Sequence, residues 1–136
     1  MKKDDCIFCK LANGTIPTNT IYEDDDFRVF LDAAPATKGH CLIVPKEHYD
    51  DLESLDDKVA AKVLPLAKKM MILLKEKLNW DGFNIVQNNK EIAGQTVFHF
   101  HMHLIPRYKG DGQFIAWKPT SVDDGELENL VKEIVS

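Results

Sequence analysis

The chain has only three cysteines, no surplus of basic side chains, and no apolar run near the ~20 residues that cross a bilayer as a helix. So few thiols exclude the disulfide-stapled class of small secreted domain. The missing apolar run excludes a helical membrane anchor. The opening Met1-Lys2-Lys3-Asp4-Asp5 is not followed by the apolar stretch of a secretory leader, so a cytoplasmic location is expected. With a formal net charge of −5, the chain also lacks the basic face by which proteins hold nucleic-acid polymers through counterion release. Its acidic runs, Asp24-Asp25-Asp26, Asp50-Asp51, Asp56-Asp57 and Asp123-Asp124, read as solvated surface. A phosphate ligand would have to be gripped locally.

What is present is ordinary for a folded protein: 44% hydrophobic and 29% charged residues, far from a disordered composition. A chain of 136 residues buries about two thirds of its unfolded surface, enough for one domain over residues 1–136. No internal repeat interrupts it. Short apolar runs bounded by turn formers predict strands at 20–22, 27–31, 41–44, 83–87 and 97–105. One long helix is expected to begin at Ser54, with Asp57 completing a capping box, and to end near Asn79. Its apolar stripe is Val59, Val63, Leu66, Met70 and Leu73. Pro65 lies inside it and predicts a kink near Ala61, because the ring deletes a backbone bond and crowds the preceding turn. A short second helix follows from Leu127, Leu130, Val131 and Ile134 behind the capping candidates Asp123 and Asp124. Strands outnumber helices and do not alternate with them as βαβ units, which gives an antiparallel α+β class. The Gly-containing stretch 108–120 reads as a loop or dimer contact.

The most informative segment is Phe98-His99-Phe100-His101-Met102-His103-Leu104-Ile105. Read as a strand, its period of two puts three imidazoles on one face and Phe98, Phe100, Met102 and Leu104 on the other, against a helix. Three neighbouring imidazoles are poor core without partners. Two chemistries suit them: a catalytic metal held by the row, as in a zinc-dependent hydrolase, or a histidine that attacks phosphorus. Asn88 and the turn Gly94-Gln95-Thr96 just upstream offer amide, hydroxyl and backbone N–H groups for an anion, which favours the second. Separately, Cys6-x-x-Cys9 supplies half of a tetrahedral zinc shell. A thioredoxin-like redox pair would sit after a strand at a helix start, a context absent here. Cys41 lies in an apolar run.

The run His99-Phe100-His101-Met102-His103-Leu104-Ile105 satisfies His-φ-His-φ-His-φ-φ (φ apolar) and resembles the motif of the histidine triad family. The likeness continues through Cys6-Ile7-Phe8-Cys9-Lys10, Ile21-Tyr22-Glu23-Asp24, Phe30-Leu31-Asp32, Lys38-Gly39-His40, Ile43-Val44-Pro45-Lys46-Glu47-His48 and Gly94-Gln95-Thr96, closest to the Hint branch. The resemblance implies a five-stranded antiparallel sheet with one long and one short helix, joined edge to edge in a homodimer. It implies that His101 attacks the α-phosphorus of a purine nucleotide or adenylated small molecule, forming a nucleotidyl-histidine that water resolves. The substrate would be a nucleoside 5′-phosphoramidate, an acyl adenylate or a dinucleoside polyphosphate. His103, Gln95 and Thr96 would hold the phosphate or leaving group, with Asn88 and Gly94 beside them, and His40 would join the triad's hydrogen bonds. Asp32 would accept from the ribose hydroxyls, while Phe8, Leu11, Phe30 and Ala33 line the base pocket. Ala33 is smaller than the residue many relatives place there. Cys6, Cys9, His48 and His99 would bind a structural zinc, and no organic cofactor is implied. A nucleotide-binding regulatory module with slow turnover is the non-enzymatic rival.

Overall fold

In the computed structural model, which describes residues 1–136, the apolar runs form one antiparallel sheet in the order β1-β2-β3-β5-β4. Its strands are β1 (Thr20–Glu23), β2 (Phe27–Leu31), β3 (Cys41–Pro45), β4 (Gly82–Val86) and β5 (Met102–Arg107). The helices are α1 (Ile7–Ala12), α2 (Asp57–Leu78) and α3 (Asp124–Val135). The central strand β3 is buried on both faces, so its sequence Cys-Leu-Ile-Val-Pro shows no polar alternation. Cys41 and Ile43 join Phe27 and Val29 beneath α2, whereas Leu42 and Val44 join Phe30 and Ala12 on the opposite face beneath α1.

The long helix starts later than the Ser54 capping box suggests. Asp56 is the N-cap, its side chain accepting from the Lys58 N–H at 2.8 Å. Ser54 is instead engaged with Asp51, whose carboxylate accepts from the Ser54 N–H in a preceding turn. The helix passes through Pro65 as one 22-residue element. It buries Val63, Leu66, Ala67, Met70 and Leu74, with Val59 and Leu73 packed alongside. Asn79 ends it in the left-handed region, φ 51°, its N–H returning to the Lys75 carbonyl.

Two expectations need correction. The sequence pattern does not predict the six-residue helix α1: its first turn is capped by the Cys6 sulfur, which accepts from the Cys9 N–H, in place of an oxygen cap. The last strand begins at Met102, not at 97, so residues 97–101 approach it as irregular chain. There Phe100 donates its N–H to the Tyr49 carbonyl, off the ladder, while the β3–β5 pairing stops at Ile43 opposite Met102. Phe100, Met102 and Leu104 still reach the core, but Phe98 is 52% exposed and does not pack beneath the helix. Beyond Asp111 the chain is exposed through α3, whose apolar side chains Leu127, Leu130, Val131 and Ile134 are all exposed. No helix is long and apolar enough to cross a membrane.

Candidate active site

The irregular approach to β5 splits the three histidines between two sites. His99 is fully buried and turns its ring toward the N-terminal helix. Its Nδ1 lies 3.4 Å from the sulfurs of both Cys6 and Cys9, and the His48 Nδ1 lies 3.4 Å from the Cys9 sulfur. One nitrogen lone pair cannot serve two thiols at once, whereas an ion between the four atoms would satisfy all of them. Zinc bonds of about 2.3 Å to sulfur and 2.0 Å to nitrogen at tetrahedral angles give S···N edges near 3.5 Å, matching this spacing. The far nitrogens are also engaged as ligating imidazoles require: His99 Nε2–H donates to the Pro45 carbonyl at 2.9 Å, and His48 Nε2–H to Asp50 Oδ1 at 2.7 Å. The residues therefore fit a closed Cys₂His₂ zinc shell.

His101 and His103 instead line a cleft of about 340 Å³ together with Phe8, Leu11, Phe30, Asp32, Ala33 and Thr96. The positions of these groups follow from backbone geometry. Phe30 and Leu42 are cross-strand partners on the α1 face, so they form one apolar wall. Asp32 follows β2, its carboxylate accepting the Ala34 N–H at 2.9 Å. The Phe8 ring meets His101 edge-on, centroids 4.7 Å apart.

Hydrogen bonds to the backbone assign the tautomers. The His101 Nδ1 faces the His99 carbonyl at 2.7 Å, and since a carbonyl only accepts, Nδ1 carries the proton and Nε2 keeps a lone pair. His40 Nδ1 accepts the Ala36 N–H at 2.9 Å, so its Nε2 bears the proton and donates to His103 Nδ1, 3.0 Å away. Asp32 Oδ2 lies 3.5 Å from the same His40 nitrogen. His103 must then carry its proton on Nε2. Neighbouring imidazoles thus present opposite faces: a base at His101 and a donor at His103. The same assignment argues against a metal among Asp32, His40 and His103, although their ligand atoms lie within 4.8 Å of one another, because the His40 Nε2 lone pair is occupied by a proton.

Burial pushes the His101, His103 and His40 imidazoles below the usual histidine range. For His103, burial and then the neighbouring His101 and His40 bring it to about 4, with Asp32 opposing.

Three residues assigned to the phosphate from sequence lie outside the cleft lining: Asn88, Gly94 and Gln95. Gln95 is 2% exposed and fully engaged, its Oε1 accepting the Lys90 N–H at 2.8 Å and its Nε2 donating to the Asp50 and Val97 carbonyls. It clamps the 90–97 loop and leaves nothing to offer a ligand. Asn88 packs against Gly94, whose φ of +103° makes the turn. Lys90, also at positive φ, pairs with the buried Asp51 and ties the same loop to the segment before α2. Conversely, Pro17, Thr18, Asn19, Leu31, Leu42 and Val97 line the cleft although the sequence pattern does not mark them. Leu42 could have been found from strand pairing with Phe30; the segment 17–19 carries no local signal.

A family model described as the HIT domain matches residues 13–110. Over 129 residues the chain is 46% identical to an uncharacterised HIT-like protein of Methanocaldococcus jannaschii, spanning 95% of this chain and 98% of that one. It is 38% identical over 132 residues to the adenosine 5′-monophosphoramidase of Schizosaccharomyces pombe, with 96% of each chain covered. The crystal structure of a zinc-bound histidine triad family protein from Mycobacterium smegmatis has the same fold, with a TM-score of 0.77 at 35% identity, covering 95% of this chain and 91% of that chain.

Proposed function

The chain belongs to the histidine triad family, and from that premise we propose that it binds a purine nucleotide and cleaves the bond between its α-phosphorus and a leaving group, as a hydrolase or transferase working through a nucleotidyl-histidine. The observation that carries this is His101, whose Nδ1–H is held by the His99 carbonyl while Nε2 keeps a lone pair in the cleft. A nucleoside 5′-phosphoramidate is the favoured substrate, supported by the similarity to the yeast adenosine 5′-monophosphoramidase. Acyl adenylates and dinucleoside polyphosphates would use the same attack.

In the first step His101 Nε2 bonds to phosphorus as the P–N bond breaks, and the amine departs with one proton taken up from solvent. In the second, water attacks phosphorus, the Nε2–P bond breaks, and the proton is returned. The sum is phosphoramidate plus water giving nucleotide plus amine. Covalent catalysis of this kind divides one difficult displacement into two. His103 Nε2–H donates to a phosphate oxygen, and the exposed Thr96 hydroxyl supports the phosphate or leaving group. His40 is a positioning residue that fixes the His103 tautomer. Gln95 acts on phosphate only through the loop it clamps. Asp32 binds the ribose hydroxyls, and Phe8, Leu11, Phe30 and Ala33 enclose the base.

Zinc at Cys6, Cys9, His48 and His99 would supply a structural cross-link between α1, the segment after β3 and the approach to β5, consistent with the zinc-bound relative. A homodimer is the assembly we infer, because α3, Phe114 at 89% exposure and Trp117 at 86% present an uncovered apolar surface following the fold, and β4 is a free sheet edge. Residues 1–136 would act as one catalytic unit.

The test is the initial rate of AMP phosphoramidate hydrolysis by the wild type and His101→Ala. Loss of at least about a thousandfold is expected on removing a nucleophile. Near-wild-type turnover in the variant would overturn the proposal.

A further inference from the structure

The stretch after β5, which the sequence marks only as a loop or dimer contact, folds back onto the turn ahead of His40. Asp111 makes that return compact. Its carboxylate takes the Arg107 guanidinium on two prongs, Nε–H to Oδ2 at 2.9 Å and Nη2–H to Oδ1 at 3.0 Å, and accepts the N–H groups of Tyr108 and Gln113 at 3.0 Å each. Arg107 is fastened to the sheet by its Nη1–H, which donates to Asn84 Oδ1 of β4 at 2.9 Å. The guanidinium and the two backbone N–H groups hold the Asp111 carboxyl well below the usual carboxylate range, so the pairing persists at neutral pH.

From this strap, three successive residues of the 36–38 loop are tied down. Gln113 donates Nε2–H to the Ala36 carbonyl at 2.9 Å, the Thr37 hydroxyl donates to the Pro106 carbonyl at 2.5 Å, and the Tyr108 hydroxyl donates to the Lys38 carbonyl at 2.8 Å. The loop meets the imidazoles of the cleft at Ala36, whose N–H donates to His40 Nδ1 at 2.9 Å. Both backbone polar groups of Ala36 are therefore engaged, one by Gln113 and one by His40.

That N–H decides where a proton sits. With it in place, His40 carries its proton on Nε2, which lies 3.0 Å from His103 Nδ1, and His103 must carry its own on Nε2. Asp32 Oδ2, 3.5 Å from His40 Nε2, favours the same arrangement. If Ala36 swings away, the reverse arrangement opens: His40 is protonated on Nδ1, His103 donates its Nδ1–H to His40 Nε2, and His103 Nε2 is left with a lone pair. A lone pair cannot bond a phosphate oxygen.

Resting on the nucleotidyl-transfer reading above, we infer that Gln113 and Tyr108 are positioning residues for the reaction: they hold the Ala36 N–H on His40 and so keep a proton on His103 Nε2 for the phosphate.

Gln113→Ala combined with Tyr108→Phe removes both ties and leaves every residue that lines the cleft in place. Two quantities are measured: kcat for AMP phosphoramidate in the wild-type and His40→Ala backgrounds, and the histidine tautomers by nitrogen NMR of the intact protein. The paired substitution should lower kcat about fivefold, as the net worth of a hydrogen bond implies, and His103 Nε2 should lose its proton for part of the population. In the His40→Ala background the same pair should change kcat by less than about twofold, because the residue through which it acts is gone. Gln113 is exposed, so Gln113→Ala alone gives the same comparison if the pair lowers stability. Equal losses in the two backgrounds, or an unchanged tautomer spectrum, would overturn the positioning role while leaving the nucleotidyl-transfer reading standing. Wild-type protein that did not turn over the phosphoramidate would overturn that reading, and the spectrum would still decide whether the strap sets the His103 proton.

Discussion

His101 donates its Nδ1–H to the backbone carbonyl of His99, 2.7 Å away, while the His99 ring turns into the cluster of Cys6, Cys9 and His48. One residue therefore serves two sites. Its side chain belongs to the Cys₂His₂ cluster that would hold zinc, and its main chain fixes the tautomer of His101, the proposed nucleophile.

The first prediction concerns that shell. Purified protein should carry about one zinc per chain by elemental analysis, and Cys6→Ser should lose it and melt several degrees lower, because structural zinc contributes folding free energy directly. Far less than one metal per chain, together with unchanged melting in Cys6→Ser, would contradict the site. A metal held by His99 would act on the site only through that residue, so its removal should weaken activity by loosening His101 and should leave adduct formation detectable wherever the fold survives.

Asp32 stands beside the cleft with its Oδ1 satisfied by the Ala34 N–H. Ribonucleotides should bind better than 2′,3′-dideoxynucleotides by about 1.5 to 3 kcal/mol, the worth of a hydrogen bond to a charged group. Calorimetric titration of both ligands checks this, and Asp32→Asn should narrow the difference. Equal affinities in the wild type would remove Asp32 from ribose recognition.

Stability should depend on pH through the part-buried His40–His103 pair. Burial lowers both imidazoles in the folded chain, His103 to about 4, whereas an unfolded histidine titrates near 6.5. Below about 6.5 the unfolded chain therefore binds protons that the folded chain refuses. Stability falls as pH drops from about 6.5 toward 4, and these groups contribute no slope above about 7. Asp32 and His101 face the pair, Asp32 opposing the shift and His101 adding to it for His103. Urea midpoints across this range should follow that slope, and His103→Asn should flatten it.

Gly39 precedes His40 at φ +90°, and a Cβ there would lie 2.5 Å from Leu78 Cδ1 and 3.3 Å from Pro106 Cγ. Gly39→Ala should destabilise the fold by about 1 to 3 kcal/mol through backbone strain, with crowding added. Thermal melting checks it; a change within a few tenths of a kcal/mol would show that the turn tolerates a side chain.

Much of this was legible in the sequence. The strand runs, the helix stripe around Met70 and the burial of Phe100, Met102 and Leu104 between the histidines follow from periodicity, because one face of each element packs on the core. Chain ends of elements were less legible. Asp56 outcompeted Ser54 as helix cap because Asp51 had already claimed Ser54, a contact of the preceding turn. The departure of 97–101 from the ladder depends on Tyr49 and Pro45 accepting from Phe100 and His99, residues about fifty positions away, and local pattern carries no trace of such partners. For the same reason Gln95 reads as a phosphate ligand in sequence but spends its amide on Lys90, Asp50 and Val97 in space. The helix α1 is not legible in the sequence because six residues capped by a cysteine sulfur present neither a usual cap nor a full apolar stripe.

A histidine nucleophile requires His101 Nε2 to form a bond to phosphorus. Rapid quenching of the protein with an excess of AMP phosphoramidate, followed by intact-mass measurement under mildly alkaline conditions that spare a phosphorus–histidine bond, tests it most directly. The wild type should gain the mass of one nucleotidyl group per chain and lose it again on a turnover timescale, and His101→Ala should gain none. An adduct that persists in His101→Ala, or wild-type turnover with no adduct at any quench time, would contradict a histidine nucleophile and point to water as the direct attacking group.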